Sequence, residues 1–261
     1  MRPPEARRAW VCGSTQGIGR ACAVELARLG AEVMLLARDE TALRRTAGEL
    51  PAEAGQKHSY LCADFADPRR LREVVSRRLH GAGPVHVLVN NTGGPPGGPI
   101  LEADVDQFLQ AFKMHLVCNQ ILVQALVPGM KQAGYGRIIN IVSTSVKQPI
   151  EGLGVSNTVR AAVANWAKTL ASELAPSGIT VNNILPGATL TGRLESIIQA
   201  RAAREGKSVE RVKEEMLADI PARRFASPEE IAAAVGFLAS PAAGYITGVN
   251  LPVDGGRTGC L

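Results

Sequence analysis

The segment Ala9-Trp10-Val11-Cys12-Gly13-Ser14-Thr15-Gln16-Gly17-Ile18-Gly19 reads as a short buried strand running into a glycine turn. The apolar spacing that follows predicts a helix over 17–29, which Gly30 ends. Glycines at 13, 17 and 19 let the backbone turn sharply and approach a pyrophosphate, whose charge is favoured at a helix N-terminus. A glycine trio alone fits any tight turn. This one opens the first unit of a strand–helix–strand pattern, the context a dinucleotide site requires.

The same alternation continues to the end of the chain. Strands are expected at 32–37, 58–63, 85–90, 137–142, 180–184 and 250–253. Helices are expected at 41–50, 68–79, 105–132, 155–174 and 228–238, with a helical stretch over about 194–218. Short, fully apolar strands alternating with helices imply a parallel sheet covered on both faces. Right-handed crossovers make it a doubly wound α/β Rossmann fold of three layers, with the ligand at the carboxyl ends of the strands. No repeat or composition break divides the chain, so 1–261 is expected to be a single domain.

Hydrophobic residues at 46% and charged residues at 20% fit an ordinary globular protein, and aromatics at 4% leave the core to aliphatic side chains. The net charge of +5 is spread over arginine pairs such as Arg44-Arg45 and Arg77-Arg78, without interleaved aromatics. That argues against a nucleic-acid footprint. Five cysteines and four histidines show no metal-ligand spacing, so no metal is expected. Cys12, Cys22, Cys62 and Cys118 sit in apolar patterns that suggest packed thiols. Residues 1–8 are charged, hold two prolines and lack the apolar run of a signal peptide, and no stretch is long enough to span a membrane. The expected compartment is the cytoplasm, with no membrane partner.

The turn Gly-x-x-x-Gly-x-Gly resembles that of the short-chain dehydrogenase/reductase family, and further matches follow in family order. They are Asp64 with Phe65 after the third strand, Asn90-Asn91-Thr92-Gly93 after the fourth and Asn140-Ile-Val-Ser143 on the fifth. Pro186-Gly187 with Thr191, Tyr245-Ile-Thr-Gly248 and Val253-Asp254-Gly255-Gly256 complete the set, so the likeness spans about 8–256. The chain is similar in general sequence to 3-oxoacyl-acyl-carrier-protein reductases. The resemblance implies a nicotinamide dinucleotide held by Gly13, Ser14, Thr15, Gln16, Gly17, Ile18, Gly19, Asp64, Phe65, Asn91, Gly93, Arg160, Pro186, Gly187 and Thr191. Where NAD enzymes of the family carry Asp, this chain has Ala37 followed by Arg38. A guanidinium can grip a 2′-phosphate in bidentate fashion, or it can simply pair with Asp39. NADP(H) is therefore expected over NAD(H).

The resemblance also implies an Asn-Ser-Tyr-Lys tetrad, and only the serine, Ser143, is kept. Thirteen residues on, Ser156 stands at the tyrosine position, Arg160 four later at the lysine position, and His115 at the asparagine position. A serine hydroxyl is a poorer general acid than a phenol near neutral pH. Lys147, four residues after Ser143, and His115 are the alternative proton donors, against readings as a loop charge and a space-filling ring. The charged segment at about 192–221 would cover the substrate, a small-molecule carbonyl or acyl thioester. Two functions follow. One is an NADP-dependent oxidoreductase acting on a carbonyl/alcohol pair, such as one of 3-oxoacyl type, with a rebuilt proton donor. The other is a non-catalytic NADP(H)-binding sensor or assembly partner. The family resemblance also implies a homo-oligomer, a dimer or tetramer built through the fourth and fifth helices.

Overall fold

A computed structural model describes residues 7–260. Most of the charged stretch 1–8, and the last residue of the expected domain 1–261, lie outside the described residues. Seven strands form one sheet: β1 (Arg8–Cys12), β2 (Glu32–Ala37), β3 (Ser59–Cys62), β4 (Val87–Asn90), β5 (Gly136–Ile141), β6 (Ile179–Pro186) and β7 (Asn250–Val253). Their order across the sheet is β3-β2-β1-β4-β5-β6-β7, and every pairing is parallel. The order reverses between β1 and β4, which opens a crevice at their carboxyl ends.

Parallel strands need crossovers, and helices supply them on both faces. On one face α1 (Gly17–Arg28) and α2 (Glu40–Glu49) bury Ala23, Leu26 and Leu43 over β1 and β2, and α9 (Pro228–Ala239) beside α1 buries Ile231 and Val235 over β5 and β6 in the same cluster. On the other lie α3 (Pro68–Leu79), α5 (Cys118–Ala133) and α6 (Gly154–Leu174), with Leu71, Leu122, Leu126, Ala167 and Ala171 in the core. The alanines of α6 divide accordingly: Ala164, Ala167 and Ala171 are core, and Ala161 is exposed. The doubly wound, three-layer Rossmann fold expected from the sequence is what forms.

Two helices differ from the expected pattern. The stretch read as one helix over 105–132 is α4 (Val105–Phe112), a π turn at Lys113–Val117, and α5. The π turn adds a residue to one helical turn, and His115 within it is buried. The stretch read as 194–218 is α7 (Gly192–Glu205) and α8 (Val209–Ala218). Gly206, with φ of +62°, ends α7 in a left-handed cap, and the Ser208 side chain caps α8. Among the cysteines expected to pack, Cys12, Cys22 and Cys118 do, but Cys62 is exposed because β3 is an edge strand.

Across the right half of the sheet, four asparagines stand in register. Asn90 pairs with Asn140, Asn140 with Asn183 and Asn183 with Asn250. Each amide donates to the next: Asn90 Nδ2 to Asn140 Oδ1 at 2.8 Å, Asn140 Nδ2 to Asn183 Oδ1 at 2.8 Å, and Asn183 Nδ2 to Asn250 Oδ1 at 2.7 Å. The row gives partners to amide groups that burial would otherwise leave costly, although Asn90 Oδ1 has no partner among the described residues.

Candidate active site

The crevice between β1 and β4 is built largely from backbone. Gly13 and Gly17 have φ of +57° and +52°, a region that favours glycine. Gly13 lies so close to Asn91 that a Cβ there would stand 2.7 Å from its Nδ2 and from its carbonyl oxygen. A Cβ on Gly19 would overlap the carbonyl of Gly13. Asn91 locks the turn by donating from Nδ2 to the carbonyls of Cys12 and Gly13, both at 3.2 Å. Ser14 is fully buried and its hydroxyl donates to the Leu36 carbonyl. No side chain caps α1 at Gln16, so the N–H groups of its first turn, over Gly17, Ile18 and Gly19, are left for another acceptor. Thr15 is half-buried beside them. This cradle, open to an anion at a helix N-terminus and closed to any Cβ, fits a dinucleotide pyrophosphate.

The other cofactor candidates border the same crevice. Arg38 is exposed at the end of β2 and forms no salt bridge among the described residues, while Asp39 is engaged as the cap of α2 through the Ala42 N–H. The pairing of Arg38 with Asp39 therefore does not form. Asp64 is exposed, with its Oδ1 accepting from the Ala66 N–H, and Phe65 is buried. Thr191 caps α7, and its methyl carbon sits 3.1 Å from where a Cβ on Gly17 would be. Pro186 ends β6, and Gly187 lets the chain pass close to Asp254, whose Cα would be 2.7 Å from an added Cβ. Gly93 is exposed on the β4–α4 loop, with open space where a Cβ would point.

The remaining candidates lie on the loop after β5 and in the first turns of α6. Ser143 follows β5, and its Oγ accepts from the Ser145 N–H at 3.1 Å. Ser145 is buried, and its hydroxyl has no partner among the described residues. Ser156 is half-buried in the first turn of α6. One turn later, Arg160 reaches back to β5 and donates from Nη1 to the Ile141 carbonyl at 2.7 Å. Its Nε is buried without a partner. Burial, and then the charge of Arg193, push the Arg160 guanidinium down to about 10. Lys147 is half-buried in the same loop, and its side chain makes no hydrogen bond or salt bridge among the described residues.

His115 shares a close hydrogen bond between its Nδ1 and the Thr92 hydroxyl. Burial first, then the Arg160 charge, hold its pKa well below the ordinary histidine value. Both causes disfavour the imidazolium form of the ring.

The sequence reading passed over Arg193. It stands in the first turn of α7, and its Nη2 donates to the Pro95 carbonyl at 2.5 Å, spanning from the covering segment to the Gly93–Pro99 loop. Its guanidinium lies against Gly94, and loss of water there lowers its pKa. The available signal was its place two residues after Thr191 in the segment read as covering the substrate. By contrast, Arg201, Lys207 and Arg211 of that segment interlock with Glu205, Glu214 and Glu215.

Comparison with known proteins agrees with this architecture. The family described as enoyl-(acyl carrier protein) reductase matches residues 13–258. The 3-oxoacyl-(acyl-carrier-protein) reductase FabG of Haemophilus influenzae is 32% identical over 252 residues, covering 97% of this chain and 98% of that protein. The D-beta-hydroxybutyrate dehydrogenase of Rhizobium meliloti is 33% identical over 258 residues, covering 97% and 98%. The crystal structure of L-sorbose reductase from Gluconobacter frateurii, complexed with NADPH and L-sorbose, superposes with a TM-score of 0.91 at 32% identity, over all of both chains.

Proposed function

We propose that this chain, which belongs to the short-chain dehydrogenase/reductase family, is an NADP(H)-dependent oxidoreductase acting on a carbonyl/alcohol pair with a proton donor other than tyrosine. The observation that carries the cofactor choice is the end of β2, where Ala37 replaces an acid and Arg38 stands without a carboxylate partner. A carboxylate there would repel a 2′-phosphate, whereas a guanidinium attracts it. The NADPH bound in L-sorbose reductase supports the same choice. The named substrates of the relatives, a 3-oxoacyl chain, a hydroxybutyrate and L-sorbose, support the carbonyl/alcohol class.

When bound, the cofactor supplies hydride to the carbonyl carbon, and the C=O electron pair moves to oxygen, which then takes a proton. Ser143 and the unpartnered hydroxyl of Ser145 would hydrogen-bond that oxygen as charge develops on it. Arg160, at the family's lysine position, would hold the ribose hydroxyls and add positive charge. Lys147 is the candidate proton donor, because its side chain makes no hydrogen bond or salt bridge among the described residues and it lies four residues after Ser143 in the same loop. The segment α7–α8 would cover the substrate. An exposed apolar face formed by Leu101, Val105, Leu109 and Phe112 supports assembly into a homo-oligomer through α4.

The substituted pair Ser156/Arg160 favours a second reading, a protein that binds NADP(H) without turning over. Measuring NADPH consumption at micromolar enzyme over 3-oxoacyl thioesters, ketones and aldehydes separates the two. Turnover that falls at least about a hundredfold in Lys147→Ala is the expected result for loss of a general acid. Tight NADPH binding with no turnover across the panel favours the non-catalytic reading. In the same series, Arg38→Glu should weaken NADPH at least about tenfold, roughly 1.4 kcal/mol, and leave NADH unharmed. Equal losses for both cofactors would remove Arg38 from the 2′-phosphate site.

A further inference from the structure

Apart from the cofactor crevice, the chain folds around a cavity of about 270 Å³ walled by three segments distant in sequence. The loop after β5 contributes Thr144, Gln148 and Glu151. The ends of α7 and α8 contribute Arg201, Arg204, Glu205 and Asp219. Arg257 and Thr258, beyond β7, complete the wall. None of the residues assigned above to the cofactor or the reaction centre lines it, although Ser143 and Lys147 immediately precede Thr144 and Gln148 in the same loop.

The wall is anchored on all three sides. Asn157 Nδ2 donates to the Ile150 carbonyl at 2.8 Å and ties the loop to α6. Arg204 lies against that loop, where a Cβ on Gly152 would stand 2.9 Å from its Nη1. Arg201 is held by Glu205 at 2.7 Å and by Glu215 at 3.0 Å. Asp254 Oδ2 accepts from the Thr258 N–H at 2.8 Å and also from the Thr258 hydroxyl, a turn that brackets Arg257. A site fixed in this way loses little freedom when a ligand enters.

Its chemistry differs from that of an ordinary ligand pocket, which is mainly apolar with a few polar groups. Here only Pro149 and Ile150 are apolar. The guanidinium groups of Arg201, Arg204 and Arg257 are matched by the carboxylates of Glu151, Glu205 and Asp219, so neither sign prevails. Part of this capacity is unused. Arg257, Glu151 and Asp219 form no salt bridge among the described residues. Thr144 is only 4% exposed, yet its hydroxyl makes no hydrogen bond among them. A polar group so placed is costly unless something entering the cavity pairs with it.

We propose that this cavity is a binding site for a polyhydroxylated, uncharged small molecule, such as the chain of a sugar alcohol. A guanidinium presents paired donors and a carboxylate paired acceptors, each matching hydroxyls on adjacent carbons. The hydroxyl of Thr144 and the amide of Gln148 both donate and accept. One neutral ligand therefore answers both signs at once, whereas an ion meets like charge as well as opposite charge. The site does not rest on the oxidoreductase reading, because its occupancy is measured without turnover.

The test is saturation-transfer NMR on the full chain with four six-carbon probes: sorbitol, 1,6-hexanediol, 6-aminohexanoate and adipate. Sorbitol should bind saturably and at least about tenfold tighter than the other three. Arg257→Gln and Thr144→Val should each weaken sorbitol at least about tenfold, with folding checked by melting temperature. Because Thr144 is buried and Arg257 is not, Arg257→Gln decides the matter if Thr144→Val fails to fold. Equal binding of sorbitol and 1,6-hexanediol, or no saturable binding of sorbitol, overturns the proposal. Tighter binding of 6-aminohexanoate or adipate makes the site ionic and overturns it too. So does unchanged sorbitol binding in folded Arg257→Gln, which places the polyol elsewhere. With NADPH added, D-fructose separates two sources of the same chemistry, both of which keep the site. Reduction of D-fructose with a KM raised at least about tenfold in Arg257→Gln, at unchanged kcat, makes the polyol the far end of the substrate. D-fructose that is inert, or reduced with an unchanged KM, makes it a separate effector.

Discussion

The two halves of the crevice are made of different material. The cofactor half is backbone: two left-handed glycines, a third with no room for a Cβ, and Asn91 tying the turn to β4. The chemical half is side chain: Ser143, Ser156, Arg160, His115 and Arg193, projected from β5, α6, the π turn and α7. A backbone site tolerates almost no substitution, because the shape and the donors are the same atoms. A side-chain site can exchange its groups while the supporting elements stay put. The departures from the family's pattern expected from the sequence would fall in the second half, where substitution leaves the fold intact.

The strongest way to break this contrast is to damage the first half. Gly19→Ala places a Cβ on the Gly13 carbonyl, so NADPH affinity should fall at least about a hundredfold, roughly 2.7 kcal/mol, by fluorescence titration. Retained affinity would mean that the turn adapts and that the contrast is overstated.

A smaller effect concerns charge in the second half. His115 is held neutral when folded, so its folded pKa lies below its unfolded one. Between those values the unfolded chain binds the extra proton, and stability therefore falls as the pH drops below about 6.5. The loss approaches about 1.4 kcal/mol per pH unit until the folded pKa is reached. His86, whose pKa is also lowered, chiefly by burial and then by Arg7 and Arg8, contributes in the same direction. His115→Gln should reduce, without abolishing, the fall in melting temperature between pH 7 and pH 5. An unchanged slope would show that His115 takes up its proton without unfolding.

The smallest effect is expected at Ser156. A serine at the tyrosine position is a weak acid, so Ser156→Ala should lower kcat by less than about threefold. A loss of a hundredfold or more would make Ser156 a direct participant and narrow the difference between the halves.

The fold was legible because its signals are local. Apolar runs of four to six residues, Gly30 after α1 and the Gly13–Gly19 turn each specify their own element. The shape of the glycine turn was legible for the same reason. The π turn was not, since one extra residue in a helix leaves the apolar spacing of 105–132 almost unchanged. Arg193 was missed because its contact is with Pro95, ninety-eight positions away in sequence. The ion-pair cluster around Glu205 and Glu215 had read only as alternating surface charge for a related reason. Its pairs join α7 to α8 across a break that the periodicity did not show.

The asparagine row offers a different lesson, about assembly. Its members sit at matched positions on four neighbouring strands, flanked on β5 by Ile139 and Ile141 and on β6 at one further position by Ile184. If β5 or β7 docked one residue out of place, an aliphatic side chain would enter the row and leave a neighbouring amide without its partner. Hydrophobic residues alone would accept such a slip far more readily. The four amides therefore work as the teeth of a key, and β7, which arrives last in the chain, can seat in only one alignment.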